Sequence, residues 1–140
     1  MVNKFKQFII EQETKCPIAT MDLHVNVENR QHAIDEYGYG PMSPMEDNEE
    51  FWQEKADMWG VDTKMAKTSL CENCAAFNIS DQMRACIEKG INQGIKGTNA
   101  MSVIEKADLG YCEILHFKCA GTRTCDLWLT NGPLDNEDIL

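Results

Sequence analysis

The groups in this chain most able to do chemistry are its 7 cysteines among 140 residues. Six lie in the second half with the spacing Cys71-x2-Cys74-x11-Cys86-x25-Cys112-x6-Cys119-x5-Cys125, and Cys16 stands apart. In a Cys-x2-Cys pair, two sulfurs of one turn converge and the amides of that turn point at them. A zinc knuckle, a thiol–disulfide pair and half of an iron–sulfur site all use this device. No strand followed by a long helix surrounds Cys71 and Cys74, which weakens the thioredoxin-like reading. A zinc ribbon usually brings a second Cys-x2-Cys, and there is none, although the distal cysteines could complete a zinc site. The neighbours decide more than the number. Ala75-Ala76-Phe77 follows the pair, Gly110-Tyr111-Cys112-Glu113-Ile114-Leu115-His116-Phe117 surrounds the next candidate, and Thr124-Cys125-Asp126-Leu127-Trp128 closes the set. Small residues admit a bulky group, and Phe77, Tyr111, Phe117 and Trp128 are the rings that could wall it off from water.

This pattern resembles the high-potential iron–sulfur proteins: Cys-x2-Cys followed by an aromatic, a glycine-preceded Cys with a downstream Phe, then Cys-x2-Trp. The resemblance covers roughly residues 69–130. It implies one 4Fe–4S cluster held by Cys71, Cys74, Cys112 and Cys125, with Trp128 as the ring after the last ligand. The implied activity is one-electron transfer or redox sensing. The 12 residues between Cys112 and Cys125 are close to the family's usual distance. The stretch from Cys74 to Cys112 is longer than the family's, as though a helical segment 81–108 were inserted. Outside the site, Phe51-Trp52-Gln53-Glu54-Lys55-Ala56 and Lys118-Cys119-Ala120-Gly121-Thr122-Arg123-Thr124-Cys125-Asp126 look like small proteins of tailed phages. That resemblance implies a bacterial host cytoplasm, or a virion, as the setting.

Blander readings stand beside these. Free cysteine packs as a small hydrophobe, so Cys86, on one helical face with Met83 and Ile87, reads as a core thiol. Cys119 reads as a replacement for Cys125 or a partner of Cys86, and Cys16 as a plain thiol. His24, His32 and His116 share no ligand spacing, and only His116 lies near the site. Two alternatives to the cluster follow: a structural zinc module built on the same cysteines, or a metal-free phage accessory or virion protein held by packing and one disulfide. Hydrolase, P-loop, zincin and Rossmann motifs are missing, and four protein ligands leave a cluster no open position, so no enzyme is expected.

Composition narrows the partners. Thirteen Lys and Arg against 23 Asp and Glu give −10, spread over both halves. No basic stripe exists to neutralise phosphates, so nucleic acid is not an expected partner. The longest apolar run near the start is Phe8-Ile9-Ile10, too short for a membrane span or an export signal. The expected partner is a redox protein presenting a basic docking surface.

The elements that must position the cysteines are short. One domain's worth of chain divides into an N-terminal extension or arm at 1–45, a cysteine-rich domain at 46–134 and an acidic tail at 135–140. Residues 3–12 read as an amphipathic helix, 19–27 as a weak strand, and the Gly- and Pro-rich run 37–44 as a loop. Asp47 or Asn48 caps a helix to about Met58, stopped by Gly60; Asp62 caps a shorter one. Ser80 caps a helix closed by Gly90, and Thr98 or Asn99 starts another that Gly110 ends. The predicted fold class is a small irregular, helix-leaning α+β domain with little regular sheet, built around a metal cluster.

Overall fold

A computed structural model describes residues 16–40, 44, 48–94 and 100–136. The helix predicted at 3–12, the Asp47 cap and the Thr98 or Asn99 start lie outside them. The architecture is a small α+β domain, mostly helical, with one three-stranded antiparallel sheet.

The chain opens with α1 (Ile18–Met21) and α2 (Leu23–Tyr37). The strand expected at 19–27 is therefore helix. Its loose alternation marks no buried face, since Leu23 and Val27 are exposed while the polar Asn26 is buried. Asp22 starts α2 instead, its carboxylate accepting from the amides of His24 and Val25, which removes orphan donors of the first turn. Gly38, left-handed at φ 60°, ends it. In α3 (Glu49–Trp59), Asn48 caps the Phe51 amide and Gly60, at φ 68°, terminates, as the sequence predicts. Asp62 caps α4 (Thr63–Ala66). A single 3-10 turn at Cys71–Asn73 carries the cysteine pair.

Strand β1 (Phe77–Asn78) comes next, followed by α5 (Asp81–Gly94) and α6 (Ala100–Ala107), so much of the segment 81–108 is helical. Ser80 Oγ accepts from the Met83 amide and caps α5. Gly90 does not close α5, which runs on to Gly94. What it does is allow contact: a Cβ there would stand 1.7 Å from the Thr20 carbonyl oxygen of α1. The close approach of α1 to α5 brings residue 16 beside residue 86, and the two cysteines form a disulfide with Cα atoms 5.5 Å apart. The plain thiol expected at Cys16 and the core thiol expected at Cys86 are corrected by this bond, and neither is left to bind a metal.

Strands β2 (Leu109–Cys112) and β3 (Phe117–Ala120) complete the sheet in the order β1-β2-β3. Gly110 is likewise not a helix stop. It sits within β2, where a Cβ would meet the Phe77 ring at 2.5 Å. The register pairs Phe77 with Cys112, Cys112 with Phe117, and Gly110 with Cys119. Directly paired residues share a face, so Phe77, Cys112, Phe117 and Cys119 point one way and Tyr111 the other. Two apolar clusters result. One gathers Ala33, Tyr39, Cys71, Cys74, Ala76, Phe77, Phe117 and Cys119; the other joins Tyr111 to Ala19, Ile87 and Ile104. A third holds Trp52, Ala56, Ala66 and Leu70.

Residues 16–40 fall within the segment that the sequence sets apart as an extension. There Ala19, Ala33 and Tyr39 are buried in these clusters. Helix α2 also covers the edge of β3: Asn26 Oδ1 accepts from the Lys118 amide at 2.7 Å, and Asn29 Nδ2 donates to the His116 carbonyl. Tyr39 Oη accepts from the Ala120 amide. The outward amides of Lys118 and Ala120 and the carbonyl just before the strand thereby gain partners, which covers part of this edge. No described helix is long and apolar enough to cross a membrane.

The disulfide closes a separation of 70 residues, a long loop whose loss of unfolded-state entropy stabilises the fold. Reducing it, or Cys16→Ser, should lower stability by about 2–4 kcal/mol. Urea unfolding with and without a thiol reductant measures this, and coincident midpoints would contradict it.

Candidate functional site

Two short pieces of chain face each other across the first cluster. The turn bearing Cys71 and Cys74 is held from both sides. Cys71 and Glu72 donate their amides to the carbonyls of Arg123 and Gly121, while Ala75 donates to Leu129. Residues 125–134 lie over it like a strap. Trp128 Nε1 donates to Leu70 O and Asn73 Oδ1, both at 2.9 Å, and the Gly132 amide donates to Asn73 O. Gly132 runs so close that a Cβ would stand 1.9 Å from the Cys74 carbonyl oxygen. This position needs glycine for space.

The start of the strap is pinned by charge. Lys55, on α3 and only 3% exposed, forms an ion pair with Asp126 next to Cys125. Its ammonium also lies 4.5 Å from the centre of the Phe51 ring. The Asp126 amide donates to Tyr37 O at the end of α2, and Trp59 Nε1 reaches Asp126 O. Gly38 sits against this pair; a Cβ would fall 2.5 Å from Lys55 Nζ. A buried ammonium left without its carboxylate is strongly destabilising, so the position of Cys125 is tied to α3.

Cys112 ends β2, and the four-residue turn that follows folds back so that the Leu115 amide meets its sulfur at 3.3 Å. His116 closes that turn at φ 57° and is exposed, with its ring tilted against Tyr111. It adds no ligand to the thiols. Cys119 is the inward residue of β3, 2% exposed.

All five free cysteines, Cys71, Cys74, Cys112, Cys119 and Cys125, therefore meet around one apolar region. Burial pushes the thiols of Cys112 and Cys125 up to about 12, and the charges of the neighbouring cysteines push the same way. Cys74 is raised by burial and by Cys71, and Cys119 well above the usual thiol value for the same reasons. Opposing this, backbone N–H groups meet two of the sulfurs: Leu129 donates to Cys74 Sγ at 3.4 Å and Leu115 to Cys112 Sγ at 3.3 Å. A neutral thiol is a weak acceptor, whereas a thiolate makes a charge-assisted bond. The donors thus suit the ionised form that burial alone suppresses. Among the described residues, no group of three or more His, Cys, Asp or Glu is arranged to hold a metal ion.

Of the rings read from sequence, Phe77 and Phe117 are buried in the thiol cluster and Trp128 packs against it. Tyr111 does not join them. Its strand alternation turns it to the opposite face, among Ile87 and Ile104. Tyr39 is the ring that sequence reasoning missed. It stands edge-on to Phe117 with centroids 4.9 Å apart, and burial beside Cys119 raises its phenol well above the ordinary value. The Gly- and Pro-rich run around it signals a loop, and nothing there signals that the loop turns inward.

No family model, curated protein or solved structure matches the chain.

Two outcomes follow. Gly132→Ala should push the strap off the turn and cost about 1–3 kcal/mol, as overpacking does; a thermal midpoint equal to that of the parent would contradict this. The raised thiols also make metal-free stability depend on pH. Folded Cys112 and Cys125 keep their protons to about 12, whereas an unfolded thiol loses its proton near about 8.5. Their contribution is complete below the lower value and is lost as pH rises through the upper one. Urea midpoints of the reduced, chelator-treated protein should fall over that interval, and a flat profile would count against it.

Proposed function

We propose that this domain binds one 4Fe–4S cluster through Cys71, Cys74, Cys112 and Cys125 and serves one-electron transfer or redox sensing. The observation that carries the reading is the meeting of five free cysteines at one apolar cluster with backbone amides donating to Cys74 and Cys112. The thiols of Cys74, Cys112, Cys119 and Cys125, whose proton affinity neighbouring cysteines raise, gain nothing electrostatically from proximity. Iron, like any bound cation, reverses that logic and holds its thiols deprotonated. The bound cluster would supply reversible uptake of single electrons.

The chain's own residues would set the couple. Phe77, Phe117 and Trp128, joined by Tyr39, Ile114 and Leu115, keep water away, which disfavours the most highly charged state. The amides on sulfur act oppositely by stabilising electron-rich ligands. The dry wall supports a high-potential couple like that of the family whose cysteine spacing the chain resembles. That resemblance rests on motif residues alone.

A single zinc suits the arrangement less well. It would draw its sulfurs to about 2.3 Å from one point, and no three donors among the described residues are so placed. The Cys16–Cys86 disulfide favours the metal-free reading in one respect, because it adds a covalent staple independent of any metal. It also favours an oxidising setting over a reducing cytoplasm.

Anaerobic purification should yield a brown protein with about four iron and four sulfide per chain. Cys112→Ser and Cys125→Ser should lose them while Cys16→Ser keeps them. One tightly held zinc, or a folded protein without metal, would overturn the proposal.

A further inference from the structure

We infer that Asn131–Gly132 is a site of self-modification to isoaspartate, closed while the strap is fastened and open only when the strap lifts off the Cys71–Cys74 turn. The inference does not depend on what the thiols bind.

Asn131 is the one asparagine of the chain followed by glycine, and asparagine is among the thermolabile residues. In such a pair the glycine amide nitrogen gives its proton to base and attacks the side-chain carbonyl carbon, with no Cβ to hinder the approach. The new C–N bond closes a five-membered imide, and the side-chain nitrogen takes up a proton and leaves as ammonia. Water then opens the ring to isoaspartate or aspartate. The net change is one water consumed and one ammonia released.

Asn131 itself is exposed, at a left-handed φ of 76°, so water reaches it. The attacking nitrogen is held back. Gly132 N–H donates to Asn73 O at 3.1 Å, which commits both its proton and its direction to the turn. The strap is pinned on either side of the pair. Before it, Ala75 donates to Leu129 O, the Leu129 amide meets Cys74 Sγ, and the Trp128 indole donates to Leu70 and Asn73. After it, the Leu134 amide donates to Phe77 O and the Ile79 amide to Leu134 O, both at 2.8 Å. Turning the Gly132 nitrogen toward the Asn131 side chain breaks the bond to Asn73 and strains its neighbours. Attack therefore starts from the lifted strap, and its rate follows the population of that locally open form.

The product does not fit the old seat. In isoaspartate the main chain runs through the β-carbon, which lengthens the path between residues 131 and 132. The seat has no slack to take it up: a Cβ at Gly132 would stand 1.9 Å from Cys74 O, and the bonds at Leu129 and Leu134 fix both ends. Cys74, only 8% exposed beneath the strap, is then uncovered. The reaction makes a transient opening permanent.

Peptide mass spectrometry of the full chain, aged at mildly alkaline pH, follows isoaspartate at residue 131. Conversion should proceed readily in urea. In the native protein it should be slower by at least about tenfold, as the breaking of one or two hydrogen bonds requires. Trp128→Phe, which removes the indole donor, should speed native conversion. The aged native fraction carrying the extra negative charge is separated by anion exchange and treated with iodoacetamide, and its Cys74 should alkylate several times faster than in unmodified protein. Equal rates in native buffer and in urea, or no conversion in either, would overturn the inference. So would a Cys74 as protected in the modified fraction as in the parent, or an unchanged rate in folded Trp128→Phe. If Trp128→Phe does not fold, the native and urea rates of the parent and its Cys74 alkylation decide.

Discussion

Packing five cysteine sulfurs into one apolar region is the constraint around which the described part of this molecule is arranged. Five thiols meet at one apolar cluster, and desolvation is the strongest influence on the proton affinity of Cys74, Cys112, Cys119 and Cys125. Such a site is tolerable as neutral thiols packed like small hydrophobes. It becomes electrostatically productive only when a cationic centre takes the place of the protons. The cluster proposed above would give the amides directed at sulfur a use that S–H groups make poorly.

Bringing these cysteines together requires order in segments with little regular structure. The 3-10 turn, the turn after β2 and the strap 125–134 hold no long helix or strand among them. Their order comes from cross-links: backbone bonds between turn and strap, Trp128 fastened to Leu70 and Asn73, and the buried Lys55–Asp126 pair. The sheet contributes by sorting side chains. One face carries the sulfurs and phenylalanines, the other packs Tyr111 against α5 and α6.

Helix boundaries governed by local chemistry were legible in the sequence. Asn48, Asp62 and Ser80 cap their helices, and Gly60 ends one. Cys71, Cys74, Cys112 and Cys125 pack at one apolar cluster, but Cys119 packs there with them, and spacing alone did not announce its place. Features that depend on distant chain were not legible. Gly90 and Gly110 look like punctuation but are spaces kept for Thr20 and Phe77. Asn26 looks like the polar side of a strand and is buried to satisfy the Lys118 amide. Tyr111 and Phe117 looked equivalent as aromatic neighbours of Cys112, yet pleat parity sends them to opposite faces. The pairing of Cys16 with Cys86 follows from a helix crossing that no local pattern announces.

The Cys16–Cys86 bond also changes what a broken backbone means here. It closes a covalent ring through every residue from 17 to 85, enclosing Cys71 and Cys74 but not Cys112, Cys119 or Cys125. A single peptide cleavage within the ring opens it without releasing a fragment, and the two halves of the thiol cluster stay on one molecule. Cleavage between 87 and 111 separates the cysteine pair from the distal trio, with only non-covalent forces to hold them together. The oxidised protein is thus tolerant of nicking on one side of its centre and vulnerable on the other.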